Sequence, residues 1–164
     1  MSKDVVVTTQ IEASRRDWVA EHHQMYLRSG GTEGHIVDLS VIGGLRFTTT
    51  LLLQTVGRKS GTARTTPLIY GDTGGEVVIV ASKGGADVHP AWYLNIKGGN
   101  EVSFQIATQA FRATWREAEG AERAALWAFM ERLYPPYKDY RAATSRTIPL
   151  VVLVPGAPIE VFRS

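Results

Sequence analysis

Several short stretches of the chain are apolar and rich in β-branched residues, which suits strands better than helices. The first, from Phe47 to Val56, predicts a strand that is partly buried on both faces. Pro67 removes a ladder donor from the second strand, which therefore lies at an edge or contains a bulge. Asp72 to Gly75 predicts a hairpin turn between the second and third strands. Further strands are predicted at about 64–71, 76–82, 101–108, 109–117, 148–154 and 159–162.

Helical segments separate these strands. A short helix is predicted at 90–97, because Pro90 suits a first turn and Gly98-Gly99 stops the helix. A longer helix at about 120–133 is interrupted by Pro135-Pro136, after which a second helix restarts with Pro136 in its first turn. About six strands in a chain of 164 residues predict a small barrel with helices packed outside, an α+β fold that is mainly β.

The N-terminal part of the chain has a different pattern. Residues 8–29 predict a helix, because Thr9 to Glu12 forms a capping box and Gly30-Gly31 ends it. We interpret residues 1–29 as a helix packed on the domain edge, and a mobile lid or a helix lying on a membrane surface are the alternatives. Residues 30–164 form the barrel domain, and its first part, 30–47, is loop-like because glycines interrupt it.

Composition excludes several classes of protein. A net charge of +2 and a sequence pI near 9.0 fall short of a nucleic-acid binder. The chain has no cysteine, which excludes disulfides and Cys-ligated metal centres. His22, His23, His35 and His89 do not form a ligand set, so no metal site is expected. Neither a signal-peptide region nor an apolar run of about 18 residues is present, so we expect a cytoplasmic protein.

Three polar segments contain most of the candidate chemistry. Two of them are glycine-rich turns, and each of the three carries Arg, Lys or His. They are Gly57-Arg58-Lys59-Ser60-Gly61, Ser82-Lys83-Gly84-Gly85 and the segment from His89 to Asn95. Their glycines allow the positive φ values by which successive N–H groups point at one place, and Arg64 adds positive charge. Trp92 and Tyr93 can add a flat apolar surface. The pattern predicts one wall that binds an anion.

Tyr134, Tyr137 and Tyr140 recur every three residues across the predicted break between the last two helices. On a helix, such residues spread over about one third of the circumference. The residues alone favour an aromatic stripe that fills the core, with the lining of a substrate pocket as the alternative.

Together with Arg64 and Thr66-Pro67-Leu68, these three segments resemble the motifs of the deazaflavin-dependent nitroreductases, also called deazaflavin-dependent quinone reductases. The resemblance covers about residues 28–155. It implies a split β-barrel like that of flavin-mononucleotide-binding oxidases. It also implies an oxidoreductase that passes a hydride from reduced coenzyme F420, an 8-hydroxy-5-deazaflavin, to a quinone, a nitroaromatic or an activated alkene.

The resemblance also assigns residues to roles. On the acceptor side it implies that Tyr134, Tyr137 and Tyr140 bind the substrate, and it favours this over the core stripe. Tyr137, Tyr134 or Ser82 can serve as proton donor or relay, with the tyrosines positioning the substrate first and acting as acids second. The implied coenzyme-binding residues are Arg58, Lys59, Ser60, Arg64, Thr66, Pro67, Ser82, Lys83, Gly84, His89, Pro90, Ala91, Trp92 and Tyr93.

Two departures from the pattern concern fine geometry and substrate choice. Val56 stands where relatives commonly have a second Thr, and Gly98-Gly99-Asn100 replaces a stretch that usually ends in Asn-Pro. The alternatives are a flavin-mononucleotide oxidoreductase of the same barrel class, a non-catalytic coenzyme carrier and a polyanion-binding module. We expect a small-molecule acceptor as the partner, no nucleic acid, contact with a membrane through the N-terminal helix, and a monomer or homodimer.

Overall fold

Residues 18–163 are described by the computed structural model of the protein. The predicted capping box at Thr9 to Glu12 lies outside these residues, and the N-terminal helix (α1) is described at 18–28. The other helices are α2 (Ala91–Lys97), α3 (Gly120–Leu133) and α4 (Pro136–Ala142). The strands are β1 (Ile36–Val37), β2 (Thr48–Val56), β3 (Ala63–Ile69), β4 (Gly71–Asp72), β5 (Val77–Val80), β6 (Val102–Ile106), β7 (Gln109–Glu117) and β8 (Leu150–Ile159).

All strand pairs are antiparallel, and the sheet has the order β1-β2-β6-β7-β8-β5-β4, with β3 paired to β2. Strand β3 lies beside β2 near one end of this order and β4 lies at the other end, and only Tyr70 separates β3 from β4 along the chain. The sheet therefore curls on itself, with six longer strands and the two-residue strands β1 and β4. This confirms the expected α+β, mainly β, split β-barrel with helices outside.

Alternating residues of the strands pack into two different clusters. In β5, Val77 and Ile79 join the cluster inside the barrel, whereas Val78 and Val80 join the cluster under α3 and α4. This follows from the period of two along a strand, with both faces of β5 covered. The side chains of Trp127 and Met130 on α3 are buried in the second cluster.

Helix α1 packs on the barrel through one fully buried residue, Tyr26. The Tyr26 hydroxyl donates to the carbonyl oxygen of Thr50 at 2.9 Å and accepts from the N–H of Ala107 at 3.0 Å. Burial raises the pKa of Tyr26 to about 12, so this hydroxyl remains a donor at neutral pH. Leu27 packs beside it with Leu52.

Two details of the strand prediction are wrong. The predicted pair at 148–154 and 159–162 is one strand, β8, which runs through Pro155 and Pro158. Both prolines fit because β5 pairs only with Leu150 to Leu153, so the rest of β8 has one free edge. In addition, β7 carries a register shift opposite this second half of β8. Residues 30–47 are not entirely loop, since they contain β1 and a short 3-10 helix at Ser40–Ile42. No helix within residues 18–163 is long and apolar enough to cross a membrane.

Candidate active site

A cavity of about 470 Å³ opens between α1, β3, the turn after β5 and α4. It brings together residues of two predicted groups, the coenzyme side and the tyrosines. Most of its other lining side chains are aliphatic or aromatic. The lining residues are Trp18, Val19, His22, Val37, Leu39, Ile42, Thr50, Thr66, Pro67, Leu68, Ile69, Val80, Ser82, Lys83, Gly84, Pro90, Trp92, Tyr134, Tyr137 and Tyr140.

The turn that follows β5 supplies one wall of this cavity. Lys83, Gly84 and Gly85 have φ values of 47°, 66° and 85°. Two hydrogen bonds close the turn, from the N–H of Gly85 to Ser82 at 3.0 Å and from the N–H of Ala86 to Lys83 at 3.2 Å. A positive φ at a non-glycine residue such as Lys83 costs about 1–3 kcal/mol and persists only where its surroundings impose it. This left-handed backbone is the conformation that the glycines predict, and the N–H groups of Gly85 and Ala86 are bonded within the turn itself.

Helix α4 lies directly against this turn. A Cβ atom at Gly85 would lie 2.9 Å from the carbonyl oxygen of Tyr140, so only glycine permits this approach. The coenzyme side of the cavity and its tyrosine side are therefore in contact through backbone atoms.

The tyrosines form an edge-to-face series across the opposite wall. The ring centroids of Tyr134 and Tyr137 are 5.0 Å apart, and those of Tyr137 and Tyr140 are 6.0 Å apart. Tyr134 and Tyr137 are buried in the cluster beneath α3 and α4, yet all three rings also line the cavity. The three tyrosines thus pack in or against the core and also line the cavity.

Burial makes the phenols of Tyr134 and Tyr137 poor acids. It raises the pKa of Tyr137 far above the usual value near 10, and the neighbouring Tyr134 and Tyr140 raise it further. The pKa of Tyr134 is raised by burial and then by Tyr140. Both hydroxyls stay neutral at physiological pH and can donate a hydrogen bond to a bound acceptor.

The Gly57–Gly61 turn connects β2 to β3 and is exposed. It is closed by hydrogen bonds from the N–H of Gly57 to Thr62 and from the N–H of Gly61 to Gly57, both 2.9 Å long. Arg58, Lys59 and Ser60 are exposed on it. Arg64 follows at the start of β3, also exposed, two residues before Thr66 of the cavity wall. Because residues two apart on a strand share a face, Arg64 extends this wall toward the cationic turn.

Helix α2 divides the remaining predicted residues between two environments. Trp92 lines the cavity, with Pro90 preceding it. Both Trp92 and Tyr93 belong to the cluster inside the barrel, but Tyr93 does not line the cavity. Its hydroxyl donates to Glu117, and burial together with this carboxylate raises the pKa of Tyr93. The His89 ring lies against Tyr93 at a tilted angle with ring centroids 4.9 Å apart, and Ala91 is exposed.

The structure therefore collects some of the predicted residues in one cavity and leaves others outside it. Inside are Thr66, Pro67, Ser82, Lys83, Gly84, Pro90, Trp92, Tyr134, Tyr137 and Tyr140. Outside are Arg58, Lys59, Ser60, Arg64, His89, Ala91 and Tyr93.

Two residues that hold the site together were not assigned a role from the sequence. Asn95 is buried on α2, and its side chain accepts from the N–H of Arg58 at 3.1 Å. Arg146, beyond α4, donates to backbone carbonyls on both sides of the 83–85 turn. Asn95 ends the His89 to Asn95 segment and Arg146 follows the tyrosines, but their contacts are too distant in sequence to be read from it.

Three histidines of the described chain bind different protein groups. His22 donates to the carbonyl oxygen of Gly34 at 2.7 Å, His23 lies 2.7 Å from the hydroxyl of Thr65, and His35 lies 2.6 Å from that of Tyr70. Among residues 18–163, no group of three or more His, Asp or Glu side chains could hold a metal ion.

The site fits a flat cofactor with an anionic tail. The cavity is lined by the indole of Trp92 and by the 83–85 turn with its left-handed backbone, which suits a planar ring and its polar substituents. The exposed cations of the Gly57–Gly61 turn lie where β3 leads out of the cavity, which suits a charged tail.

Comparison with protein families gives one match that spans most of the chain. The family described as F420H(2)-dependent quinone reductase matches residues 18–155. F420H(2)-dependent quinone reductase Rv1261c of Mycobacterium tuberculosis (strain ATCC 25618 / H37Rv) is 34% identical over 135 residues, covering 80% of this chain and 86% of that relative.

Two solved structures are similar to this chain in both sequence and fold. The structure of the F420-H2 dependent reductase FDR-A is 40% identical, has a TM-score of 0.59, and covers 63% of this chain and 92% of its own. A second structure, described as a domain-swapped dimer, is 37% identical with a TM-score of 0.62, and covers 85% of this chain and 98% of its own.

Proposed function

The chain belongs to the F420H(2)-dependent quinone reductase family, and on that premise we propose how its cavity serves an electron-poor acceptor, whether a quinone, a nitroaromatic or an activated alkene. It is an F420H2-dependent oxidoreductase. The observation that supports the detailed assignment is the single cavity in which the 82–84 turn and Trp92 share a space with the three tyrosines.

On the coenzyme side, we assign the ring to the wall made by Ser82, Lys83, Gly84, Pro90 and Trp92. Gly84 has a positive φ and no side chain, which leaves room for the ring to lie against the turn. Trp92 offers a flat apolar face. His89, Ala91 and Tyr93 support this wall from behind rather than touching the ring.

We assign the anionic part of the coenzyme to the cationic turn and the adjoining strand. Arg58, Lys59, Ser60 and Arg64 are exposed together where β2 passes into β3, and Thr66 and Pro67 continue from there to the cavity. Charge-assisted hydrogen bonds contribute about 1.5–3 kcal/mol each, so two or three of them decide whether the coenzyme binds tightly.

When bound, the reduced deazaflavin supplies a hydride equivalent to the acceptor. The chain's own contribution is to hold the acceptor within about 3.5 Å of the donor carbon and to exclude water from the apolar cavity. Tyr134, Tyr137 and Tyr140 form the acceptor wall. The neutral hydroxyls of Tyr134 and Tyr137 orient a carbonyl or nitro oxygen, and the raised pKa of Tyr137 makes positioning its first role.

A proton must also reach the reduced acceptor. Ser82 is buried on the cavity wall and can relay a proton from solvent, whereas Tyr134 and Tyr137 are weaker acids than an exposed phenol. We therefore rank Ser82 and water ahead of the tyrosines as the immediate source of this proton.

Helix α1 is the element that we propose as a lid. Trp18 and His22 line the cavity and stack on each other with ring centroids 5.9 Å apart, so outward movement of α1 would open this side. Val19 and Met25 are partly exposed apolar residues on the same helix, which suits contact of a cytoplasmic enzyme with a membrane surface. We propose α1 as this mobile unit, residues 30–164 as the barrel domain, and a monomer or homodimer. Residues 1–17 of the N-terminal segment lie outside the described residues.

Reduced-coenzyme oxidation, followed by absorbance with menadione, a nitroarene and a cyclic enone as acceptors, tests the proposed activity. We expect turnover with at least one of them. Binding of coenzyme without turnover of any acceptor would favour the non-catalytic carrier instead, and turnover with flavin mononucleotide in place of the deazaflavin would favour the flavin enzyme.

A further inference from the structure

Arg146 lies just beyond the tyrosine segment and binds the turn on the coenzyme side of the cavity. Its Nη2 donates to the carbonyl oxygens of Ala81 at 3.1 Å and Ser82 at 2.8 Å, and its Nε donates to that of Ala86 at 2.7 Å. These carbonyls stand immediately before and after the three residues with positive φ. One guanidinium therefore fixes both ends of the strained turn.

The same guanidinium also contacts His89. Nη1 of Arg146 lies 3.0 Å from Nδ1 of His89. A guanidinium in a protein only donates, so Nδ1 is the acceptor in this contact. Lysine could not reproduce this arrangement, because it has a single nitrogen where Arg146 uses three.

A second contact ties the same two segments together. The Thr144 hydroxyl donates to Oδ1 of Asp87 at 2.7 Å and accepts from the backbone N–H of Arg146 at 3.2 Å. With Gly85 packed against Tyr140, the chain from 140 to 146 contacts the turn at three places. The acceptor wall and the brace for the coenzyme wall are thus one continuous segment.

We propose that Arg146 is a positioning residue, which holds the 82–89 segment in its binding conformation and sets the coenzyme ring in register with the tyrosines. The part that concerns the coenzyme rests on the proposed function. The part that concerns the turn does not, because its conformation can be measured in the protein alone.

The test compares Arg146→Met and Arg146→Lys with a control, Arg132→Met, which removes an exposed arginine of α3. Amide hydrogen exchange of the unliganded protein reports on the turn, with peptides from β6 and β7 as an internal check of the fold. Coenzyme dissociation constants are measured by fluorescence, and kcat and acceptor KM are measured separately. Thr144→Val is a milder variant, in case Arg146→Met does not fold.

We expect peptides covering 82–89 to exchange at least tenfold faster in Arg146→Met, with β6 and β7 unchanged. The coenzyme dissociation constant should rise about tenfold or more and kcat should fall, while acceptor KM stays within twofold. Arg146→Lys should recover only part of the loss, Thr144→Val should shift exchange and affinity less in the same direction, and Arg132→Met should match the wild type.

Unchanged exchange in the turn would overturn the proposal, and so would faster exchange with unaltered coenzyme affinity. If Thr144→Val is the only variant that folds, the proposal is also overturned when neither the exchange of the turn nor the coenzyme affinity changes in that variant. A wild-type protein that binds no coenzyme would instead overturn the proposed function. The part of this inference that concerns the coenzyme would then fall as well, even if the turn exchanges faster in the variant.

Discussion

The side-chain oxygen of Asn95 accepts the backbone N–H of Arg58 at 3.1 Å, which ties the cationic turn to helix α2. The Asn95 amide also donates to the Thr55 hydroxyl at 3.2 Å, so this buried side chain binds both the turn and the strand that leads into it. Trp92, one turn earlier on α2, lines the cavity. This buried asparagine therefore ties the cationic turn to the helix that carries Trp92.

Asn95→Ala should weaken both the fold and coenzyme binding. It leaves the N–H of Arg58 and the hydroxyl of Thr55 without their partner, which should lower the free energy of unfolding by about 1–3 kcal/mol. The coenzyme dissociation constant should rise several-fold because the turn is no longer held. Asn100→Ala is the matched control, since Asn100 binds only the carbonyl of Val56 at the base of the turn. Urea unfolding and fluorescence titration measure the two effects, and equal losses in both variants would deny Asn95 its special role.

Lys59→Ala should raise the coenzyme dissociation constant about tenfold or more, since one charge-assisted hydrogen bond contributes about 1.5–3 kcal/mol. Stability should change little, because Lys59 is exposed. Lys138→Ala removes the same charge from an exposed position on α4 and should leave coenzyme affinity unaltered. Equal affinity in wild type and Lys59→Ala would remove Lys59 from the site.

Tyr137→Ala should lower turnover with little change in coenzyme affinity, because its ring belongs to the acceptor wall. Tyr137→Phe keeps the ring and removes the hydroxyl, so kcat/KM should fall about fivefold, the equivalent of a hydrogen bond of about 1 kcal/mol. Steady-state kinetics at saturating coenzyme separates the two variants. Parallel losses of turnover and coenzyme affinity would mean that Tyr137 supports the fold or the coenzyme wall.

The buried phenols predict alkaline destabilisation. Burial raises the folded-state pKa of Tyr137, and that of Tyr134, above the value near 10 of an unfolded chain. Their contribution to stability is therefore complete below about pH 10 and is lost as the pH rises from there toward the folded pKa, because the unfolded chain releases its protons first. The free energy of unfolding, measured with urea, should fall less steeply above pH 10 in Tyr137→Phe than in wild type. The same slope in both would contradict this.

Much of the fold was predictable because it depends on local pattern. Apolar, β-branched runs between glycine turns gave the six longer strands, and Pro136 gave the restart of the last helix. The continuation of β8 through Pro155 and Pro158 was not predictable, because two prolines look like a strand end unless the free edge beside them is known. The two-residue strands β1 and β4 carry too few residues to show a period.

The site was predictable as a set of turns but not as an arrangement. Adjacent helical residues point about 100° apart, so Trp92 and Tyr93 could not both face the cavity, and only the packed structure shows that Trp92 does. The hydrogen bonds of Asn95 and Arg146 join residues that are 37 and 60 positions apart, so no local sequence pattern predicts them.

Titration of the purified protein with oxidised coenzyme F420 and, separately, with flavin mononucleotide tests the central claim most directly. Trp92 and Trp18 line the cavity, so a ring bound there should quench tryptophan fluorescence. We expect the deazaflavin to bind at least tenfold more tightly than flavin mononucleotide, because we propose that its longer anionic tail binds the cations of the Gly57–Gly61 turn. Tighter binding of flavin mononucleotide, or no binding of either, would contradict the account.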